Sequence, residues 1–486
     1  MVSAKTPLEQ GHTDLLVDLA LETRYSDLPF KVAHAAKQII LDTIGCCVAA
    51  FATDTARILV NLKRRQGGHG EATLLVDGDR LPVSSVAYVH SQLANLLDLD
   101  ETLVHRTHFA STIVMPALAM AEMTGASGKE LIVAVALGFD VAARVGLSMP
   151  FYETSSEDGA HLVPVWGYSW AVFGTVAAAG RLLGLSHEQM ANALGIAFVS
   201  TPVHFNGPKR RRAGHVVGAK PMHKYAMYAA IAEAGINAVL LAADGFTGDS
   251  LVLDPDRSFW KAFGVSPADW DFMVRDLGRR WFIAETSLKF FTVARPGAIP
   301  VDLFWKVIRK EGIKLAEIDE VILTLPPAQM VKSQYDTSAP PSQVGPMPVP
   351  YACALLASGL DPGLSWLDPV VLAKPEIREF GRKVKTVVNQ DLYSMMVDQV
   401  KAEGTYRRIP IALEIKARGT SFEASAEYAR GDPWGPEPMT DDELGLKFRN
   451  YTEALIGREN SDRAIKEVLN LEAAPDVSNL VSSLHR

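Results

Sequence analysis

Apolar residues recur at helical spacing through most of the first 280 positions, and at strand spacing only later. Residues 14–62 carry two helical patterns; the second, Lys31 to Phe51, is apolar on nearly every side after Ile39 and predicts a helix inside a helical layer. Residues 67–81, with Asp77-Gly78 as the turn signal, predict a short hairpin or loop. From 83 to 253 helix is expected to follow helix, with small residues (Ala177-Ala178-Ala179-Gly180, Ala226 to Ala234) that let backbones approach closely. The apolar stretches 131–147 and 170–185 are interrupted by Asp140, Arg144 and Arg181, and read as buried helices rather than membrane spans. Beyond 280, Glu317–Leu325, Arg408–Lys416 and Ser421–Tyr428 read as strands, the last two forming a hairpin about Gly419. Residues 336–350, with five prolines, predict a loop. Thr440-Asp-Asp-Glu443 is a capping box opening a further helix, and helices run on to about 484. The order is helical, then α/β, then helical again.

Composition narrows the class. The chain has 486 residues, 48% of them hydrophobic and 21% charged, which suits an ordinary globular protein with room for two domains. A net charge of −8 argues against a nucleic-acid partner. Cys46, Cys47 and Cys353 fit a reducing compartment, and the adjacent pair reads as core. With no HExxH, CxxC or His-rich spacing, no metal site is expected. The amino terminus lacks a secretory pattern, so the expected setting is cytoplasmic, with no membrane.

Candidate chemistry concentrates in Asp98-Leu-Asp-Glu-Thr-Leu-Val-His-Arg-Thr-His108, between two apolar helical segments. It holds carboxylates that burial can raise in pKa, imidazoles (His105, His108) that titrate near neutrality, and hydroxyl donors. That set suits proton transfer. Taken alone, the stretch also reads as an exposed helix–helix connector. A second charged run, Lys209-Arg-Arg-Arg212, reads either as a solvated loop or as a cationic rim that draws in anionic substrates, with Arg212 nearest the lysines that follow.

Several stretches, in this order and separation, resemble the MmgE/PrpD family. They are Ile40-Leu-Asp-Thr-Ile-Gly-Cys46, Asp98–His108 leading into Met115-Pro-Ala-Leu-Ala-Met-Ala-Glu122, and Arg181-Leu-Leu-Gly-Leu-Ser186. Later come Ala234 to Gly248, Lys289-Phe-Phe, Pro350-Tyr351, and the tail from Arg430-Gly-Asp-Pro433 through Lys447-Phe448. The resemblance implies an α+β fold: a large all-α domain built from both chain ends (1–280 and 432–486) and a smaller α/β domain from the middle (281–431). The site would lie between them, with homodimers common and no cofactor. It also implies proton removal next to a carboxylate of a small anionic metabolite, coupled to loss of water or CO2, or to epimerisation.

Carried over by position, His108 becomes the acid/base, Asp98 orients it or holds a substrate hydroxyl, and Thr102 donates to a substrate carboxylate. A family lysine falls on Lys224, or on Lys220 (followed by Pro221-Met-His223, with His223 a substrate-binding candidate) if the helix start shifts by a turn. A second lysine falls on Lys289, and Tyr351 matches the Pro-Tyr pair as a donor. Buried cations of this kind neutralise substrate carboxylates and stabilise the charge that develops on deprotonation.

Three positions depart from the family: Val165, Ala294 and Ala298 stand where relatives carry histidines. His161 is the nearest substitute for the first, and Arg295 is a candidate carboxylate partner beside the other two. The expected function is therefore a cofactor-free lyase of a di- or tricarboxylate, either a dehydratase or a decarboxylase. An epimerase or isomerase is the alternative, and an inactive binding homologue a third reading.

Overall fold

The computed structural model describes residues 11–103, 107–149, 152–155, 159–162, 169–202, 222, 227–255, 257, 269–329, 334–337, 341 and 345–486. The fold is α+β. Its helical layer holds α1 (His12–Glu22), α2 (Phe30–Ala50), α3 (Asp54–Gln66), α4 (Val83–Leu96), α5 (Ser111–Thr124), α6 (Gly128–Ser148), α7 (Val172–Leu183), α8 (His187–Ser200) and α9 (Tyr228–Ala243). From Ile39 to Ala50 every residue of α2 is buried, as its all-round apolar pattern predicts, and the late helix Asp441–Ile456 packs back onto it. Both chain ends therefore build one helical body. The capping box that opens this late helix is present, with Thr440 Oγ1 accepting from the Glu443 N–H and Glu443 accepting from the Thr440 N–H.

Small residues set how closely the helices approach. A Cβ on Gly174 of α7 would lie 2.2 Å from the carbonyl oxygen of Gly138 on α6, so those backbones touch and no side chain fits between them. Gly235 of α9 sits against Thr175 of α7 in the same way, and Thr175 Oγ1 donates to the carbonyl of Thr112 on α5. Short strands β1 (Ala72–Thr73) and β2 (Arg80–Leu81) pair antiparallel, with Gly78 at φ 79° in the turn. The expected unbroken run of helices is interrupted by an antiparallel pair, β4 (Tyr152–Ser155) and β5 (Gly159–Leu162). The local sequence, Tyr-Glu-Thr-Ser before Ser-Glu-Asp-Gly, is β-prone and ends in turn residues; the abundance of helix around it masked that signal.

The middle of the chain forms a four-stranded sheet of β7 (Ile318–Leu325), β8 (Val384–Val388), β9 (Ile411–Ala417) and β10 (Thr420–Ala426), in the order β10-β9-β7-β8. β7 (Ile318–Leu325) and β9 (Ile411–Ala417) alternate buried and less buried positions, as their sequence spacing predicts. β9 and β10 (Thr420–Ala426) form the expected hairpin, with Arg418 and Gly419 both at positive φ in a two-residue turn. β8 (Val384–Val388) joins β7 in parallel at the other edge. The proline-rich loop ends in the helix Val349–Ala357, where Pro350 sits in the first turn and needs no N–H partner.

Two helices, Phe30–Ala50 and Gly128–Ser148, are long and apolar enough to cross a membrane, and both lie mostly inside the fold. All three cysteines are buried and unpaired. In α6 the charges that interrupt the apolar run pair internally: Arg144 Nε donates to Asp140 Oδ2 at 2.6 Å, and the guanidinium collects carbonyls of Met273, Arg275 and Arg280. Replacing Arg144 with Met would leave Asp140 buried without its partner. The expected loss is about 3–5 kcal/mol of unfolding free energy, measured by denaturant titration. A loss below about 1 kcal/mol would show that the pair is not a structural anchor.

Candidate active site

The acidic connector is buried, not exposed. Asp98, Asp100, Glu101, Thr102, Thr107 and His108 are all inaccessible or nearly so. A two-strand pairing brings it to the second half of the chain: β3 (Thr102–Leu103) pairs antiparallel with β6 (Thr286–Ser287), Thr102 opposite Ser287. Lys289, two residues beyond Ser287, therefore lies alongside Asp98 and Asp100 despite nearly two hundred residues of separation. Its Nζ donates to Asp98 Oδ1 and to the Asp98 carbonyl, both at 2.5 Å. Asp98 has φ 55°, a left-handed conformation that Asp tolerates better than most residues. There it presents backbone carbonyl and carboxylate to the same ammonium. Thr292 Oγ1 donates to the Leu97 carbonyl at 2.5 Å and holds the chain at that bend.

His108 belongs to a second cluster. Its Nδ1 lies 3.2 Å from Asp100 Oδ2, and Asn95 Nδ2 donates to the same oxygen at 2.6 Å. Asn95 Nδ2 also lies 3.1 Å from His108 Nδ1, so amide, imidazole and carboxylate form one buried cluster that fixes the orientation of the ring. The orienting contact expected of Asp98 is thus made by Asp100, while Asp98 is bound to Lys289. Tyr228 of α9 donates its hydroxyl to the His108 carbonyl at 3.3 Å. Asn95 and Asp100 were not among the residues singled out from sequence. Asp100 could have been, since an extended stretch turns positions 98 and 100 to one side. Asn95 had no comparable signal, because its role depends on where α4 ends.

Glu101 faces the other way and organises α5: its Oε1 accepts from the N–H groups of Phe109 and Ala110 at 2.7 and 2.8 Å. Burial, reinforced by the Asp100 carboxylate and opposed by those two N–H groups, pushes its pKa up to about 8. Asp98, Asp100 and His108 each offer one ligand atom, all within 4.8 Å of one another, and these are the described residues that could hold a metal ion. The Lys289 ammonium already brings a positive charge to that group.

The remaining expected residues are placed as follows. Tyr351 is buried in the first turn of Val349–Ala357, and the loop before it is tied to the site by Gly345 N–H to the Leu96 carbonyl and Met347 N–H to the Thr292 carbonyl. Arg295 is ion-paired with Asp432, which also accepts from Ser287 Oγ at 2.6 Å. The pair ties Arg295 to the strand β6 that carries Ser287. Ala294 and Ala298 are buried at the start of the helix Arg295–Glu311. His105, Arg212, Lys220, His223, Lys224 and Val165 lie outside the described residues; His161 is in β5, with its side chain outside them.

The MmgE/PrpD N-terminal domain matches residues 14–271 and the MmgE/PrpD C-terminal domain matches residues 292–473. The chain belongs to the MmgE/PrpD family. Its site draws on both segments, and Lys289 falls in the join between them. Human cis-aconitate decarboxylase is 25% identical over 480 residues, covering 93% of this chain and 90% of that protein. The cis-aconitate decarboxylase-like protein oryM of Aspergillus oryzae and the cis-aconitate decarboxylase of Aspergillus terreus are each 24% identical, covering 99% of this chain and 98% of theirs.

Glu101 supplies a test of the site's electrostatics. Between about pH 4.5 and 8 the folded chain keeps a proton on Glu101 that the unfolded chain has released, so this group's stabilising effect fades as pH rises through that window. Glu101→Gln stays neutral and keeps an oxygen for the two N–H groups. It should match the wild type in melting temperature near pH 5 and exceed it at pH 8–9. Parallel melting-temperature curves across the range would refute the assignment.

Proposed function

We propose that the protein is a cofactor-independent lyase that removes CO2 from a small tricarboxylate of the cis-aconitate type. The observation that carries this reading is the juxtaposition of two buried units. One is a carboxylate-oriented imidazole, His108 with Asp100 and Asn95; the other is a carboxylate-bound ammonium, Lys289 with Asp98. The cis-aconitate decarboxylases to which the chain is similar along most of its length support it.

Decarboxylation of a β,γ-unsaturated carboxylate breaks one C–C bond. Its electron pair forms a new C=C, and the electrons of the old double bond take up a proton at the far carbon. One proton enters and one CO2 leaves. In this reading His108 delivers that proton from Nε2, the Asp100 carboxylate stabilising the imidazolium before it does so. Negative charge spreads toward a second carboxylate during the step, and Lys289 stabilises it there. Lys289 donates two hydrogens to Asp98, and in this reading the third serves a substrate carboxylate. Thr102 and Tyr351 are assigned to the substrate carboxylates. The protein would work as a homodimer in the cytoplasm.

Alanines at 294 and 298 favour a second reading, an isomerase or epimerase, since fewer protonating groups border the site. Incubation with cis-aconitate in D2O, followed by NMR, separates the two. The lyase gives CO2 and a dicarboxylate carrying one new deuterium per turnover; the isomerase exchanges hydrogen without CO2. His108→Gln should lower kcat by about 10²–10⁴-fold. Chelator treatment should leave kcat unchanged. No CO2 from cis-aconitate or from other unsaturated tricarboxylates would sink the lyase assignment.

A further inference from the structure

A second buried lysine stands behind the site. Lys447, on the helix Asp441–Ile456, donates to Asp42 of α2, to the Leu99 carbonyl at 2.9 Å and to the Lys289 carbonyl at 2.6 Å. An ammonium has three hydrogens, and these three acceptors use them all. Lys447 is 4% exposed, so it has neither a donor nor an open face to offer a substrate.

Its contacts form a closed circuit. Leu99 lies between Asp98 and Asp100, so its carbonyl is the backbone of the connector itself. The Lys289 carbonyl is the base of the side chain whose tip grips Asp98. Lys447 fixes the base of that side chain to the connector, while Asp98 fixes its tip. We propose that Lys447, held by Asp42, is a positioning residue of the active site, setting the distance between Lys289 and the Asp98–His108 connector. The lysine remains charged: burial is the largest single influence and opposes its ammonium form, but the charge and hydrogen bond of Asp42 together with the nearby anionic groups exceed it and raise the pKa. Asp42 and Lys447 each sit in a stretch that marks the family in sequence, and neither position carries a chemical role from sequence alone.

A neighbouring pair separates positioning from ordinary support. Lys37, also on α2, donates to the Leu469 carbonyl at 2.7 Å and to Glu472, tying the C-terminal segment to the same helix without touching the connector. Lys447→Met is compared with Lys37→Met, and with Asp42→Leu/Lys447→Met, which removes both charges and leaves neither buried alone. Two readouts are taken below each variant's melting transition. The first is turnover of cis-aconitate, which rests on the activity proposed above. The second is the titration of the His108 ring by 15N NMR, its signal identified by loss in His108→Gln, which needs no turnover.

The expected result is a kcat loss on the order of 10–100-fold, with KM within about 3-fold, in both Lys447 variants. The His108 midpoint should move by at least about half a pH unit in the same two variants, while Lys37→Met loses stability alone. Wild-type kcat and an unmoved His108 titration in the folded double variant would overturn the proposal, as would equal effects from Lys37→Met. If the wild type does not turn over cis-aconitate, the titration arm still decides the role of Lys447.

Discussion

Charge burial is the constraint on which the rest of the molecule depends. The connector between α4 and α5 places Asp98, Asp100 and Glu101 where water does not reach, and each must be compensated or neutralised there. The chain solves this three ways within a few residues. Lys289 binds Asp98, Asn95 and His108 surround Asp100, and Glu101 shifts toward its neutral form while capping the start of α5. Lys447 and Asp42 repeat the first solution beside it. Take away the cations and the carboxylates have no reason to remain ionised. Take away the carboxylates and the lysines have no reason to stay charged in a dry interior.

Reactivity follows from the same arrangement. A carboxylate and an amide on one side of the imidazole fix the orientation of the ring, and a buried ammonium held by Asp98 stands beside that cluster. Both are rigid because their partners are backbone groups as well as side chains: Lys289 binds a carbonyl of the connector, and Tyr228 binds the His108 carbonyl. Rigidity of this kind lowers the reorganisation needed when a substrate's charge moves. The left-handed backbone at Asp98 fits the same logic, since there the carbonyl and the carboxylate of one residue meet the same ammonium.

Arg295 shows how a cation beside the site is tied into the scaffold. In sequence it stands next to two alanines that replace histidines, and its charge invites a substrate role. In the fold it meets Asp432, whose carboxylate also holds Ser287 at the strand that delivers Lys289. The arginine is therefore joined to the site through β6, with its Nη2 on a protein carboxylate.

Sequence by itself determined the periodic parts of this protein. The all-round apolar run of α2, the alternation in β7 and β9, the turn at Arg418-Gly419 and the capping box at Thr440 were all legible, because helices, strands and turns depend on neighbours a few positions apart. The density of ionisable groups at 98–108 was legible for a similar reason, as was the family from ordered motifs along the chain. Tertiary structure alone decided which carboxylate serves which cation. Asp100 rather than Asp98 meets His108, Lys289 meets Asp98, and Lys447 reaches across from the far end of the chain. Those pairings join residues up to 405 positions apart, as in Lys447 and Asp42, and hydrogen bonds of a few ångströms are set by how helices and strands pack, which no local pattern of residue types encodes.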